Sequence, residues 1–444
     1  MRASLSITRE KCLPVFAKND AQTAASIQTQ AWLEFGKIDA QAKHRSKRRL
    51  LPEFGKIDPQ AKHRSKRRLL PEFGKIDPQA KTLSRSSARL PTQTCLGLAV
   101  LLLCAGAAQA RTIGEKAVEH HIRPVYQQLA AGMDGLAKAT DAYCDAAKGD
   151  RKLLDAAFTG AVRAWAGAEH LRFGPVTEDN RYERFAFWPD PKGLATKQIA
   201  AALKDRDAGV TSVETLRQKS VTLQGLTAYE TLFWGDASEK TTAPPAAGKT
   251  FTCAYAKAIA GNLVQVSAAI RDAWAANDGF AANFITPGPD KLYHDDKDST
   301  LELFKAFTAG LIQTRNVKLN RVLMGNPAEA QPRRAAFWRS GNAVAVIAAN
   351  VDGLRDLYEK AGLSELLRLQ GEGMERATSD QFHLLDEALE KLAGKPIAEI
   401  TASQDSWQKL NSVVFGLINV QTTGGNAIAA AAQLPMSFNA LDGD

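Results

Sequence analysis

Two glutamates on otherwise apolar helical faces are the first residues of this chain that could do chemistry. On the helix predicted over 213–234, Glu230 shares its face with three apolar residues: Leu223, Leu226 and Phe233. On the helix predicted over 154–172, Glu169 ends a similar apolar stripe. A buried carboxylate is costly unless a cation, a metal ion or hydrogen-bond donors meet it. Each glutamate is therefore either a structural ion-pair partner or part of a binding site.

The loop over 173–191 supplies the nearest candidate partners in the sequence. It is rich in proline, glycine and aromatic residues, and loops of this composition often carry function. Its polar candidates are Arg181, Arg184 and Asp190. We expect at least one of the two arginines to neutralise Glu169 or Glu230.

Further candidates lie in the second half of the chain. The helix predicted over 301–323 carries cations, among them Arg315 and Lys318, on the face where the earlier helices carry acids. A second helix is predicted over 337–360, and Arg339 and Ser340 stand at its start. Free N–H groups at a helix start favour anions, so we expect this segment to hold an anion or to set the charge of a site.

The segment 225–235, GLTAYETLFWG, resembles the signature helix of the imelysin family, also described as the M75 peptidase-like family. That family usually carries G-x-H-x-x-E here, followed by an apolar run that ends in Trp-Gly. This chain keeps Gly225, Glu230, Trp234 and Gly235, but Thr227 replaces the histidine. The segments WAGAEHLRFGP, RFAFWPDP, QPRRAAFWRSG and SFNALDGD also resemble the family, so the resemblance covers about 118–444.

The resemblance implies an exported protein of the periplasm or cell envelope that binds a metal or small ligand in connection with iron acquisition. Glu169 and Glu230 would supply oxygen ligands, which suit iron(III) or calcium better than zinc. The other candidate ligand-binding residues are Thr227, Arg181, Arg184, Asp190, Arg315, Arg339 and Ser340. The expected partners are a small ligand or metal, or another envelope protein.

Two alternatives stay open: a metallopeptidase, as the family name suggests, and a non-catalytic envelope scaffold. A hydrolytic zinc site normally has three protein ligands and an open water position. HExxH is absent, and a threonine hydroxyl at Thr227 is a poor metal ligand. The sequence therefore favours a protein without catalytic residues.

Apolar residues recur at helical spacing throughout 111–444, and alternating strand patterns are absent. The sequence therefore predicts an all-α fold. A stretch of this length exceeds what one core usually holds, so we expect two helical bundles, over 111–290 and 291–444. The resemblance implies that these bundles are pseudo-symmetric halves with the signature helix near their interface.

The first 110 residues differ in composition from the rest. Residues 1–82 contain a tandem repeat, in which EFGKIDAQAKHRSKRRLLP at Glu34–Pro52 returns almost unchanged at Glu53–Pro71. Residues 83–110 have the charged, apolar and A-x-A segments of a signal peptide cleaved after Ala110. Because a signal peptide should begin a chain, we expect the repeat to be disordered or translated upstream sequence.

Charge and cysteine content agree with an exported domain. The first 110 residues hold 20 of the 57 Lys and Arg and 8 of the 48 Asp and Glu, which leaves 37 basic and 40 acidic residues in 111–444. The basic excess thus belongs to the leader and gives no argument for nucleic acid. After cleavage two cysteines remain, Cys144 and Cys253, which either form a disulfide or stay as free thiols.

Overall fold

The computed structural model describes residues 111–145, 149–235, 250–369 and 371–434. The repeat, the predicted signal peptide and SFNALDGD lie outside these ranges. Within them every regular element is helical, so the predicted all-α fold is confirmed. No helix of the described ranges is long and apolar enough to cross a membrane.

The first half of the described chain has nine α-helices. They are α1 Ile113–Ala117, α2 Arg123–Asp145, α3 Arg151–Ala168, α4 Arg181–Phe185, α5 Leu194–Asp205, α6 Val213–Leu216, α7 Gly225–Trp234, α8 Phe251–Ala275 and α9 Ala282–Ile285. A π-helical segment, π1 Val118–Ile122, joins α1 to α2. Short 3-10 turns cover Gly174–Asn180, Ala208–Val210 and Val221–Leu223.

The second half of the described chain has eight α-helices. They are α10 Asp296–Ile312, α11 Arg321–Leu323, α12 Ala343–Lys360, α13 Leu363–Arg368, α14 Glu372–Glu390, α15 Ile397–Ala402, α16 Gln404–Asn419 and α17 Asn426–Ala431. Two π-helical segments, π2 Gln313–Asn320 and π3 Val420–Gly425, follow α10 and α16. Short 3-10 turns cover Pro327–Glu329 and Pro332–Arg334.

Side-chain caps set the start of several long helices. Asp150 accepts hydrogen bonds from the backbone N–H groups of Lys152 and Leu153 at the start of α3. Asp295 does the same at the start of α10, with bonds of 2.9 Å to Lys297 and Asp298. Such caps satisfy N–H groups that have no partner inside the helix, which is why both helices begin where they do.

Two predicted helices are shorter than expected. The predicted helix over 213–234 divides into α6, a 3-10 turn and α7, and the left-handed φ of +79° at Gly225 marks the last break. The predicted helix over 337–360 begins at Ala343, because Phe337 and Gly341 both have positive φ. This turn brings the backbone N–H of Ser340 to a carboxylate instead of into a helix.

In the first half α2 packs against both α3 and α8, and α3 also packs along α12 of the second half. The α3–α12 crossing is close: a Cβ atom on Gly353 would lie 2.4 Å from the carbonyl oxygen of Gly167. Glu169 follows two residues after this crossing. The crossing therefore places the end of α3 directly against the middle of α12.

The sulfur atoms of Cys144 and Cys253 form a disulfide between α2 and α8. Of the two states that the sequence left open, the structure has the bridged one. The division into bundles over 111–290 and 291–444 stays a prediction.

Candidate functional site

Glu169 lies at the C-terminal end of α3 and is nearly buried, with 8% of its surface exposed. Its Oε2 atom accepts hydrogen bonds from the ammonium of Lys318 on π2 and from Nδ2 of Asn350 on α12, the latter at 3.0 Å. Lys318 is itself 4% exposed. The cation that compensates this buried charge is thus a lysine from the predicted cationic face, about 150 residues away along the chain.

His170, next to Glu169, belongs to a buried pair of histidines. Its Nε2 atom lies 2.8 Å from Nε2 of His121, which π1 positions. Burial is the main cause that lowers the pKa of both imidazoles, and it brings the pKa of His121 to about 3. Both rings are therefore neutral at neutral pH. No local spacing pattern indicates this pair, because the two histidines lie 49 residues apart.

A small pocket opens beside Glu169. Its lining residues are Glu169, His170, Arg172, Ala309, Gly310, Gln313, Thr314, Asn350 and Leu354. The cavity volume is about 10 Å³, which is close to the roughly 10–15 Å³ that a single water needs. Two buried atoms of lining residues have no hydrogen-bond partner: Nδ1 of His170 and Oδ1 of Asn350.

Glu230, on α7, has a different surrounding. Its Oε1 atom accepts hydrogen bonds from the backbone N–H of Ser340 at 2.9 Å and from the Ser340 hydroxyl at 2.8 Å. Burial raises the pKa of Glu230, while the bonds from Ser340 and the charge and N–H of Arg339 act in the opposite direction. The segment expected to hold an anion therefore holds this carboxylate of the same chain.

The side chain of Thr227 is bound to the aromatic loop. Its hydroxyl oxygen accepts a hydrogen bond of 3.3 Å from the backbone N–H of Phe187. The next loop residue, Trp188, has its ring centre 5.7 Å from the ammonium of Lys318. The loop thus touches both the signature helix and the lysine that compensates Glu169.

The expectation that Arg181 or Arg184 neutralises a buried glutamate is wrong. Arg181 donates to the carbonyl of Pro175 and to the carboxylate of Glu178, each at 2.8 Å. Both acceptors belong to the turn that precedes α4, so the arginine stabilises its own loop.

Arg184 donates to the Asp179 carbonyl at 2.9 Å, to the Arg217 carbonyl and to the Gln224 side chain. Partial burial is the main cause that lowers its pKa, followed by the charge of Arg217. Its role in the structure is to fix the loop to the segment that precedes α7.

The other predicted site residues have structural contacts of their own. The carboxylate of Asp190 accepts bonds from the backbone N–H groups of Leu194 and Ala195 and so caps α5. Arg315 donates to the side chains of Asn316 and Gln421. The guanidinium of Arg339 lies 4.6 Å from the centre of the Trp338 ring.

The two glutamate regions differ in their fit to a metal ion. Glu230 faces hydrogen-bond donors, which suit an anion and not a cation. The pocket beside Glu169 is lined by that carboxylate and by two residues with an unpaired buried atom, but Lys318 already pairs with the carboxylate and Arg172 also lines the pocket. In the described ranges, no group of three His, Cys, Asp or Glu side chains converges as a metal site.

Fold and site together define an all-helical protein. Its two buried glutamates, Glu169 and Glu230, lie in the first half of the described chain, and the residues that bind their carboxylates lie in the second half. The model of the imelysin family, peptidase M75, matches residues 122–433, and the chain belongs to this family. The predicted family resemblance is thereby confirmed. No curated protein matches the chain.

Two solved structures share the fold. An imelysin-like protein from Psychrobacter arcticum 273-4 is 17% identical with a TM-score of 0.58, and the match covers 72% of this chain and 95% of the other. A putative iron-regulated protein A precursor from Parabacteroides distasonis ATCC 8503 is 12% identical with a TM-score of 0.59, covering 72% and 94%. At these identities the likeness shows the fold alone.

Proposed function

We propose that this chain is an exported protein of the bacterial periplasm or cell envelope that binds a metal ion or small ligand in connection with iron acquisition. The observation that carries the binding role is the pocket beside Glu169, where two buried polar atoms have no partner. A related fold belongs to a protein named as iron-regulated, which supports the link with iron.

Export is supported by the sequence over 83–110 and by the disulfide between Cys144 and Cys253. Structural disulfides form and persist in oxidising compartments and are rare in the cytosol. After signal cleavage the described ranges would contribute no membrane-spanning helix.

The proposed function has no proteolytic step. A zinc hydrolase needs three protein ligands and a water position. Here Thr227 replaces the family histidine and binds the backbone of Phe187, while Glu230 is held by Ser340. Both residues thus contact other parts of the same chain, which argues against the peptidase alternative.

The test combines cell fractionation with growth of a deletion strain in the native host. We expect the protein in the periplasmic fraction with Arg111 as its first residue, and slower growth of the deletion strain only when iron is limiting. The wild-type gene should restore growth, and purified protein should leave a casein substrate uncut. A cytosolic protein, or a growth defect that iron supplementation does not relieve, would contradict the proposal and favour the scaffold alternative.

A further inference from the structure

The segment over 321–340, which comprises α11 and the chain that leads to α12, concentrates positive charge. It contains four arginines, Arg321, Arg333, Arg334 and Arg339, and one acidic residue, Glu329. Residues 111–444 as a whole carry 37 basic and 40 acidic side chains. The segment is therefore a local basic region in a slightly acidic domain.

Contacts on the inner side of this segment hold its backbone in place. The backbone N–H of Gln331 donates to the carbonyl of Val322 at 2.7 Å, and the indole N–H of Trp407 donates to the carbonyl of Leu323 at 3.0 Å. Residues 335–337 are buried. The segment is thus fixed against the helical core.

The outer side chains of the segment surround one tryptophan. The guanidinium of Arg339 lies 4.6 Å from the centre of the Trp338 ring, and that of Arg333 lies 5.6 Å from it. Arg333 and Arg334 are exposed, whereas Trp338 and Arg339 are half-buried. We call these four residues the arginine surface. Contact with an aromatic ring holds a guanidinium in a defined place, so this surface is organised before any partner arrives.

The charges of the arginine surface are not balanced by carboxylates. Among the described residues, none forms an ion pair with Arg333, Arg334 or Arg339. Other arginines on the surface do have such partners, because Arg163 and Arg271 each pair with an aspartate, at 3.8 Å and 2.8 Å. The arginine surface therefore presents positive charge that other groups can bind.

Like charges also repel one another beside this surface. Burial is the main cause that lowers the pKa of the Arg321 guanidinium, and the positive charge of Arg334 lowers it further. A negatively charged group bound to Arg334 would offset this repulsion. Charge within the folded protein thus favours an anionic partner.

The surroundings of the arginines indicate the shape of that partner. Exposed Glu329 precedes the turn Pro332–Arg334, and exposed Glu399 lies on α15, which packs against this turn. Both carboxylates would repel a broad anionic plane such as a lipid surface. A narrow segment of polypeptide can contact the arginines alone, and its carboxylates match the paired N–H groups of a guanidinium.

We propose that the arginine surface is a docking site for an acidic segment of another protein. Carboxylates of that segment bind Arg333 and Arg334, and one of its apolar side chains packs on the ring of Trp338. This inference goes beyond the proposed function, because it requires no metal and uses none of the residues that line the pocket beside Glu169.

The test is fluorescence anisotropy of a labelled synthetic peptide of glutamate and leucine, titrated with the full chain. A peptide of lysine and leucine of the same length reports non-specific binding. We expect saturable binding of the glutamate peptide alone, and added salt should weaken it because salt screens exposed charges. The double variant Arg333→Gln with Arg334→Gln should weaken binding by about tenfold or more.

A matched control removes the same amount of charge elsewhere. Arg163→Gln with Arg271→Gln takes away two arginines that already have aspartate partners, and it should leave the affinity for the peptide unchanged. The melting temperature of the Arg333→Gln and Arg334→Gln variant should not fall, because both side chains are exposed and the loss of Arg334 relieves repulsion on Arg321. Weakened binding in that variant then reports the surface and not unfolding.

Four outcomes overturn the proposal. They are no saturable binding of the glutamate peptide, equal weakening in the control variant, displacement of the peptide by an equal concentration of inorganic phosphate, and binding to phosphatidylglycerol vesicles without binding to the peptide. Phosphate displacement would indicate a site for a simple anion, and vesicle binding alone would indicate a lipid surface. The titration uses purified protein and involves neither iron nor growth, so this proposal and the proposed function can fail independently.

Discussion

Glu169 and Glu230 are both buried, but different kinds of group compensate the charges of the two carboxylates. Glu230 is held by neutral donors of one turn, the N–H and hydroxyl of Ser340. Glu169 is paired with a cation, Lys318, and lies beside atoms that have no partner. A satisfied carboxylate stabilises the fold, whereas a carboxylate beside unsatisfied atoms indicates a place for a ligand.

The largest effect is expected for Lys318→Met, which leaves the charge of Glu169 buried without its cation. Breaking a buried ion pair from one side costs about 3–5 kcal/mol, and we expect a loss of this size in urea unfolding. The double variant Lys318→Met with Glu169→Met should recover most of it, because it also removes the stranded charge. Equal losses in the single and double variants would mean that packing, and not charge, is responsible.

Acid should act first on the region of Glu169. The pKa of His121 falls from 6.5 when unfolded to about 3 when folded, so the unfolded state binds more protons between these values. Stability is therefore lost as pH falls from 6.5 toward 3, by about 1.4 kcal/mol per pH unit for each such group. His121→Phe should flatten this loss in urea unfolding measured from pH 7 to pH 4. An unchanged slope would show that other groups cause it.

Gly353→Ala tests the helix crossing that brings the two regions together. The new methyl group would lie 2.4 Å from the Gly167 carbonyl, so α3 and α12 must separate, at a cost of about 1–3 kcal/mol. Gly160→Ala, on the same α3 but with no atom within 4 Å of its added Cβ, should instead stabilise by about 0.5–1 kcal/mol. Thermal melts of the two variants should shift in opposite directions.

The smallest effect is expected for Glu230→Gln. The glutamine oxygen can still accept both bonds from Ser340, so we expect a change in stability of no more than about 1 kcal/mol at neutral pH. Burial raises the pKa of Glu230, so the folded state binds the carboxyl proton more tightly than the unfolded state does. The protonated carboxyl therefore stabilises the fold at low pH, and this contribution is lost as the pH rises above the ordinary pKa of a glutamate. Near neutral pH, Glu230→Gln should therefore leave stability unchanged or raise it slightly. A loss of several kcal/mol would mean a stranded cation.

Helical periodicity predicted the fold class and marked both buried glutamates, because an acid on an apolar stripe is visible within a few residues. The partners were harder to predict. Lys318 and Ser340 lie 149 and 110 residues away from the glutamates that they bind, and no local pattern encodes such a pairing. The arginines of the loop, which are nearer in sequence, are bound by their own turn.

An ideal helix would turn His170 about 100° away from Glu169, so helical periodicity gives no reason to place the two side chains in one site. In the structure α3 ends at Ala168, so the helical angle no longer applies at His170. A second signal was present in the sequence, the adjacent pair His120-His121, but its geometry depends on the π-helical segment π1. At helix ends and in π-helical segments, the spacing of an α-helix no longer predicts which side chains share a face.

The disulfide closes a covalent ring that runs from Cys144 to Cys253, over a separation of 109 residues. Glu169, His170 and Glu230 lie on this ring, whereas their side-chain partners Lys318, Asn350, His121 and Ser340 belong to chain outside it. Each of these buried polar contacts therefore joins a residue inside the ring to a residue outside it. Because contacts of such long sequence separation form only after distant segments have met, we expect them to be among the last to form during folding. The ring closes when the two cysteines are oxidised. The pocket is completed only when the chain outside the ring packs against it.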